Sequence, residues 1–142
     1  MKVLLSVCMI AVASTAWASG GGHASAAKPA DTGKISVPKA VGENARTVAE
    51  IVTKSAELKD KPVLVRGKVV KYNSGIMGKN WVHLQDGTGS SADNTHDVIV
   101  TTDNETKVGD VVTAKGIVRT DKDFGSGYSY KVLVEEATLT TK

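Results

Sequence analysis

Two hydrophobic periods divide this chain. Between Thr47 and Leu58 the apolar residues Val48, Ile51, Val52 and Leu58 recur at roughly helical spacing, whereas after Pro62 apolar and polar positions alternate with a period of two. The first pattern predicts a short helix. Thr47 and Glu50 stand at capping-box spacing, where a hydroxyl and a carboxylate satisfy the amide donors that open a helix, and Lys61-Pro62 ends it. The second pattern predicts strands over 63–72, 80–85, 98–102, 110–119 and 128–137. On the first of these, Val63, Val65, Gly67 and Val69 face one way and Leu64, Arg66, Lys68 and Val70 the other. Gly67 and Gly116 lie inside strands, where a missing side chain marks a bulge or a sharp bend. Such bends let five strands close into a small all-β barrel, with the helix plugging one end.

The start of the chain reads differently. Lys2 precedes a mostly apolar run over 3–13 and then small residues ending Ala16-Trp17-Ala18, the pattern of a secretory signal peptide cleaved after Ala18. That run is too short to span a bilayer unaided. A lipid anchor on Cys8 is the rival reading, but Val7 is bulky where lipid attachment favours a small residue, and Cys8 lies inside the apolar run. Cleavage would leave 124 residues, periplasmic or secreted, with no cysteine and with Trp81 as the only tryptophan. Residues 19–45 are mainly Gly, Ala, Ser, Lys and Pro, with Ile35, Val37 and Val41 as the larger apolar groups, and read as a flexible linker. The expected division is therefore signal peptide 1–18, linker 19–45 and barrel domain 46–142.

Composition fits one small globular domain, with 142 residues, 41% hydrophobic and 23% charged. The formal charge of +3 excludes a histone-like polycation, and from Thr47 onward 13 basic groups balance 13 acidic ones. Attraction for a polyanion must therefore come from a local patch. Lys61, Arg66, Lys68, Lys71 and Lys79 form one, with no acidic residue between Lys61 and Lys79.

The segments Val63-Leu-Val-Arg-Gly-Lys-Val-Val, Asn80-Trp-Val-His-Leu-Gln-Asp-Gly-Thr-Gly and Val108-Gly-Asp-Val-Val-Thr-Ala-Lys-Gly-Ile-Val resemble the OB-fold of nucleic-acid-binding and tRNA-anticodon-binding domains. The resemblance covers residues 63 to about 137 and implies a five-stranded Greek-key barrel. With the helix and the glycine-bearing loops around Met77 and Phe124, the chain is also similar to small exported bacterial proteins, some of them akin to accessory proteins of periplasmic respiratory nitrite reductases.

In the OB family the ligand crosses strands 2 and 3 between the loops joining strands 1 to 2 and 4 to 5. Alternation puts Val82 and Leu84 in the core and turns Trp81, His83 and Gln85 outward. The resemblance implies that Trp81 stacks on a base, that Arg66 and Lys68 attract phosphate, and that His83 and Gln85 offer hydrogen bonds. Lys71, Tyr72 and Lys79 would flank a mobile loop at 73–79, with Phe124 and Tyr128 adding stacking surface at the far rim, beside Tyr130. Two features depart from anticodon-binding domains. Gln85 stands where they often carry Arg, and the chain turns acidic from Asp86 to Asp110.

Other chemistries find less support. His23, His83, His96 and Met77 are the soft donors of the mature chain, and Met77 with His83 would suit copper only if their loop brought them together. No His-x-x-x-Tyr motif for haem occurs, and Val132 stands where a calcium loop opening at Asp121 needs Glu. Gly75-Ile-Met-Gly-Lys-Asn is not a P-loop, and there is no Gly-x-Ser-x-Gly or His-Glu-x-x-His. The sequence thus predicts a monomeric, non-catalytic, exported binding module without cofactor or metal. Its expected partner is single-stranded nucleic acid or a similar anionic ligand. The alternatives are a periplasmic accessory protein that binds a protein partner or metal of a respiratory redox enzyme, and a binder of cell-envelope oligosaccharide.

Overall fold

The computed structural model describes residues 34–141. The expected signal peptide, Cys8, His23 and the linker up to residue 33 lie outside these residues. Five strands follow two short helices: α1 (Val48–Thr53), α2 (Ser55–Leu58), β1 (Pro62–Ile76), β2 (Lys79–Gln85), β3 (Val98–Thr102), β4 (Val111–Asp123) and β5 (Ser129–Thr140). The strands close in the order β1-β2-β3-β5-β4, with β3 and β5 parallel and every other pair antiparallel. This is an all-β, OB-like barrel. Among the described residues no helix is long and apolar enough to cross a membrane.

The core is aliphatic. Val65, Val69, Val82, Leu84, Val100, Val118 and Val134 fill it from the strands, and Val48, Ile51 and Leu58 close one end from the helices. Each such side chain contributes roughly 1.5–3 kcal/mol on burial, enough to hold the plug. Gly116 marks the tightest closure, since a Cβ there would lie 2.7 Å from both the Glu135 carbonyl oxygen and Val134 Cγ1. Only glycine lets β4 approach β5 so closely.

The predicted helix is broken at Lys54 into two pieces. Its start is capped twice. Thr47 Oγ1 accepts from the Glu50 amide at 3.1 Å, and Asp86, just past β2, accepts from the Val48 amide at 2.9 Å. Thr88 accepts from the Ala49 amide and itself donates to Asp86. The Asp-Gly-Thr turn that resembles the OB signature is therefore a helix cap supplied from almost forty residues along the same chain.

Residues 34–45, the described part of the expected linker, pair with the barrel. The Val37 amide donates to the Asp86 carbonyl, Ala45 bridges Leu64, and the Arg46 amide donates to the Leu64 carbonyl. Lys39 Nζ lies 2.9 Å from Glu50, and chiefly through that bond holds the carboxyl below its ordinary range.

Four strands run beyond their predicted ends, β2 by a single residue. β1 and β2 continue into a hairpin whose turn is Met77-Gly78 alone, both at positive φ, as a type I′ turn requires. The mobile loop expected at 73–79 is thus largely strand. β4 past Val118 and β5 before Leu133 pair only with each other, as a two-stranded ribbon.

Candidate functional site

The cross-strand register of β1 and β2 builds the outer face rung by rung. Lys68 pairs with Gln85 and Val69 with Leu84, but the next pair is Lys71 with His83, leaving Val70 as an extra residue. This bulge reverses the alternation. Lys71, which a strict period of two would turn toward the core, joins His83 on the outer face. Tyr72 pairs with the core residue Val82 and packs against the core cluster. Tyr72, expected at the candidate site, thus stands half-buried on the core side of the bulge.

Arg66, Lys68 and Lys71 line the outer face of β1, with Lys71 exposed and the other two half-buried. Among the described residues no carboxylate lies within 4 Å of Arg66 or Lys71, in contrast to Lys79 and Lys122, which are paired. His83 and Gln85 face outward as predicted, but Asp97 holds both. Its two oxygens lie 3.0 Å from His83 Nδ1 and 3.1 Å from Gln85 Nε2. That leaves the far nitrogen of His83 and the Gln85 carbonyl to meet a ligand.

Trp81 occupies the next outward rung, between Asn73 and Thr101, yet only 3% of it is exposed. The ribbon of β4 and β5 folds over it. Phe124 meets the indole edge-on at 5.1 Å, and Tyr128 and Tyr130 lie tilted against it at 5.9 and 5.5 Å. The indole N–H donates to the Ile76 carbonyl at 2.9 Å. With the residue 3% exposed and its donor engaged, Trp81 is no open platform for a base, and the expectation of an outward, stacking ring fails. Alternation identified the side of the strand; it carried no information about the hairpin that returns from forty residues away. The partly exposed rings are the covering ones, Phe124, Tyr128 and Tyr130. Burial, and next the neighbouring Tyr128, push the Tyr130 hydroxyl above its ordinary pKa.

Cations frame this cluster. Lys79 and Lys122 each stand 5.6 Å from the Phe124 centroid. Glu135, whose side chain is 5% exposed, lies 3.7 Å from Lys79, 3.2 Å from Lys122 and 3.3 Å from Arg119. One buried carboxylate therefore ties the two hairpins together, and Arg119 is held in addition by Asp60 at 2.7 Å and Glu136 at 4.0 Å. Asp97, Lys122 and Glu135 were missing from the residues singled out in the sequence. Lys122, flanked by Asp121 and Asp123, read as part of a turn, and no sequence pattern marks which acid of a run will pair.

Met77 and His83 do not converge. Met77 is exposed at the hairpin turn, while His83 lies several rungs along β2 and is bonded to Asp97. Among the described residues no group of three His, Cys, Asp or Glu side chains is placed to hold a metal ion.

No family model and no curated protein matches the chain. Among solved structures it is similar to a putative aspartyl-tRNA synthetase from Leishmania major Friedlin, with 16% identity and a TM-score of 0.47 over 75% of this chain and 23% of that one. It is also similar to OBody AM1L10, solved bound to hen egg-white lysozyme, with 22% identity and a TM-score of 0.43 over 72% of this chain and 99% of that one. The chain spans about a quarter of the synthetase's length. At these values neither neighbour says anything about a ligand.

Proposed function

We propose that this chain is a non-catalytic, exported binding module that takes single-stranded nucleic acid, or a similar anionic strand with flat rings, across the outer face of β1 and β2. The observation that carries the reading is the bulge at Val70, which aligns Lys71 with Arg66 and Lys68 on one face and directs that row toward the aromatic cluster. Phosphates follow the cations, and each one neutralised releases counterions, so binding falls steeply with salt. Rings stack on Phe124 and Tyr128, an interaction worth about 1–3 kcal/mol per base. Trp81 acts beneath them as the floor that fixes their angle. Export rests on the residues of the predicted signal peptide, and the acidic flank past Asp86 limits the footprint to β1, β2 and the ribbon.

The test is fluorescence anisotropy of a labelled oligothymidylate titrated with the protein at low and near-physiological salt. Saturable binding that weakens with salt, and that Tyr128→Ala reduces, supports the reading. Binding that is absent at low salt, or indifferent to salt, contradicts it.

A further inference from the structure

Two of the outward-facing residues on β2 are held in one orientation by a single carboxylate. Asp97, just before β3, meets His83 Nδ1 at 3.0 Å with one oxygen and Gln85 Nε2 at 3.1 Å with the other. His83 stands directly across from Lys71 on β1, and Gln85 across from Lys68, so each is paired with a member of the cationic row. The side chains of His83 and Asp97 are 26% and 23% exposed, which keeps the pair within reach of a ligand on that face.

A carboxylate has no hydrogen to give, and this fixes the polarity of both its partners. The neutral His83 ring carries its one N–H on Nδ1, which leaves Nε2 as a bare lone pair. Gln85 turns its amide nitrogen toward Asp97, which leaves its amide oxygen as the free end. Among the described residues nothing is hydrogen-bonded to either of these two atoms. Two side chains that ordinarily offer a donor and an acceptor each are thus reduced to two acceptors, side by side on one face of β2. Such an edge turns away phosphate oxygens and base carbonyls, and it takes N–H groups.

We infer that Asp97 makes this part of the face a reader of hydrogen-bond donors, and that it selects guanine in a single strand whose phosphates lie along β1. Thymine presents one N–H between two carbonyls, and adenine and cytosine each present an amine beside an unprotonated ring nitrogen. Guanine sets two donors, N1–H and the N2 amine, next to each other on the edge that a single strand leaves open. The inference rests on the nucleic-acid reading above and adds a base preference to it. Lys71 and its neighbours hold the backbone, His83 and Gln85 read the base, and Asp97 is a positioning residue that acts through them.

The test measures anisotropy of labelled strands of about ten nucleotides, oligothymidylate and the same strand with guanine at its two central positions, titrated with the full chain at pH ~8, where histidine side chains are ordinarily neutral. The guanine strand should bind at least about fivefold more tightly, the lower end of what a matched pair of hydrogen bonds discriminates. Inosine in place of guanine, which lacks the N2 amine, should lose most of that preference. Gln85→Met and Asp97→Asn should each lose it as well, with salt-sensitive binding of thymidylate retained. In the ¹⁵N imidazole spectrum, assigned by comparison with His83→Gln, the His83 proton should sit on Nδ1 with Nε2 bare. Equal binding of both strands, a proton on His83 Nε2, or an Asp97→Asn protein that loses affinity equally for both strands overturns the inference and leaves the nucleic-acid reading standing. Absence of salt-sensitive binding of either strand overturns both.

Discussion

Phe124 stands edge-on to Trp81, with ring centroids 5.1 Å apart and planes at 82°. A phenylalanine in a glycine-rich turn has thus found its pocket on the one strand position where the OB resemblance places a ligand-stacking ring. The indole supports that ring from below, and on the proposed reading the residues that would meet a ligand lie on the ribbon and on β1.

Removing that support should unfold the protein before it reveals anything about binding. Trp81→Ala is expected to cost about 3–5 kcal/mol in urea denaturation, the range for deleting a large buried ring. Trp81→Phe should recover much of this and retain oligothymidylate binding. A Trp81→Ala protein of native stability that has lost binding would restore the direct-stacking role.

Lys71 tests the bulge. It is exposed, and among the described residues no carboxylate pairs with it, so Lys71→Ala should change stability by no more than about 0.5 kcal/mol. If it contacts one phosphate, the salt dependence of affinity should flatten by about 0.7 in slope for a single strand. An unchanged slope would take Lys71 out of the interface.

Much of this was legible in the sequence. The alternation after Pro62 locates all five strands, because aliphatic residues recur at every second position in most of each, and Thr47 with Glu50 marks the helix start. What escaped has a physical origin in each case. The Val70 bulge inverts Lys71 and Tyr72, and nothing in Lys-Val-Val-Lys-Tyr signals an extra residue. The ends of β1 and β4 run on because each hairpin arm pairs with its own partner, so polar residues such as Lys122 and Asp123 join strands without a buried face, while β5 runs on to Thr140 against the start of β4. Trp81 was placed on the correct side and judged exposed, since its cover comes from distant sequence.

Tyr130 gives a spectroscopic check on that cover. Its hydroxyl titrates above the ordinary tyrosine value near 10, first because it is buried and then because of Tyr128. A folded-state pKa raised above the unfolded one gives a contribution that is complete below pH ~10 and is lost as pH rises through the folded value. Ultraviolet titration should show one tyrosine ionising late, and Phe124→Ala should bring it back toward the others. Three tyrosines titrating together would mean that the ribbon is not closed on Trp81.

The arm formed by residues 34–45 packs against one glycine. Gly87 has a φ of 91°, and a Cβ there would fall 2.1 Å from the Ile35 carbonyl oxygen. Gly87→Ala should release the arm while sparing the barrel. Hydrogen exchange at Val37 should accelerate, with little change at Val82 or Val100. Uniform acceleration would show that arm and barrel open as one unit.

The most direct measurement of the central claim is amide shift mapping of the full chain with a short oligothymidylate at low salt. The account predicts saturable shifts along Arg66 to Lys71, His83 to Gln85 and Phe124 to Tyr128, all diminishing as salt is raised. Shifts absent from these three segments, with binding elsewhere or nowhere, would contradict it.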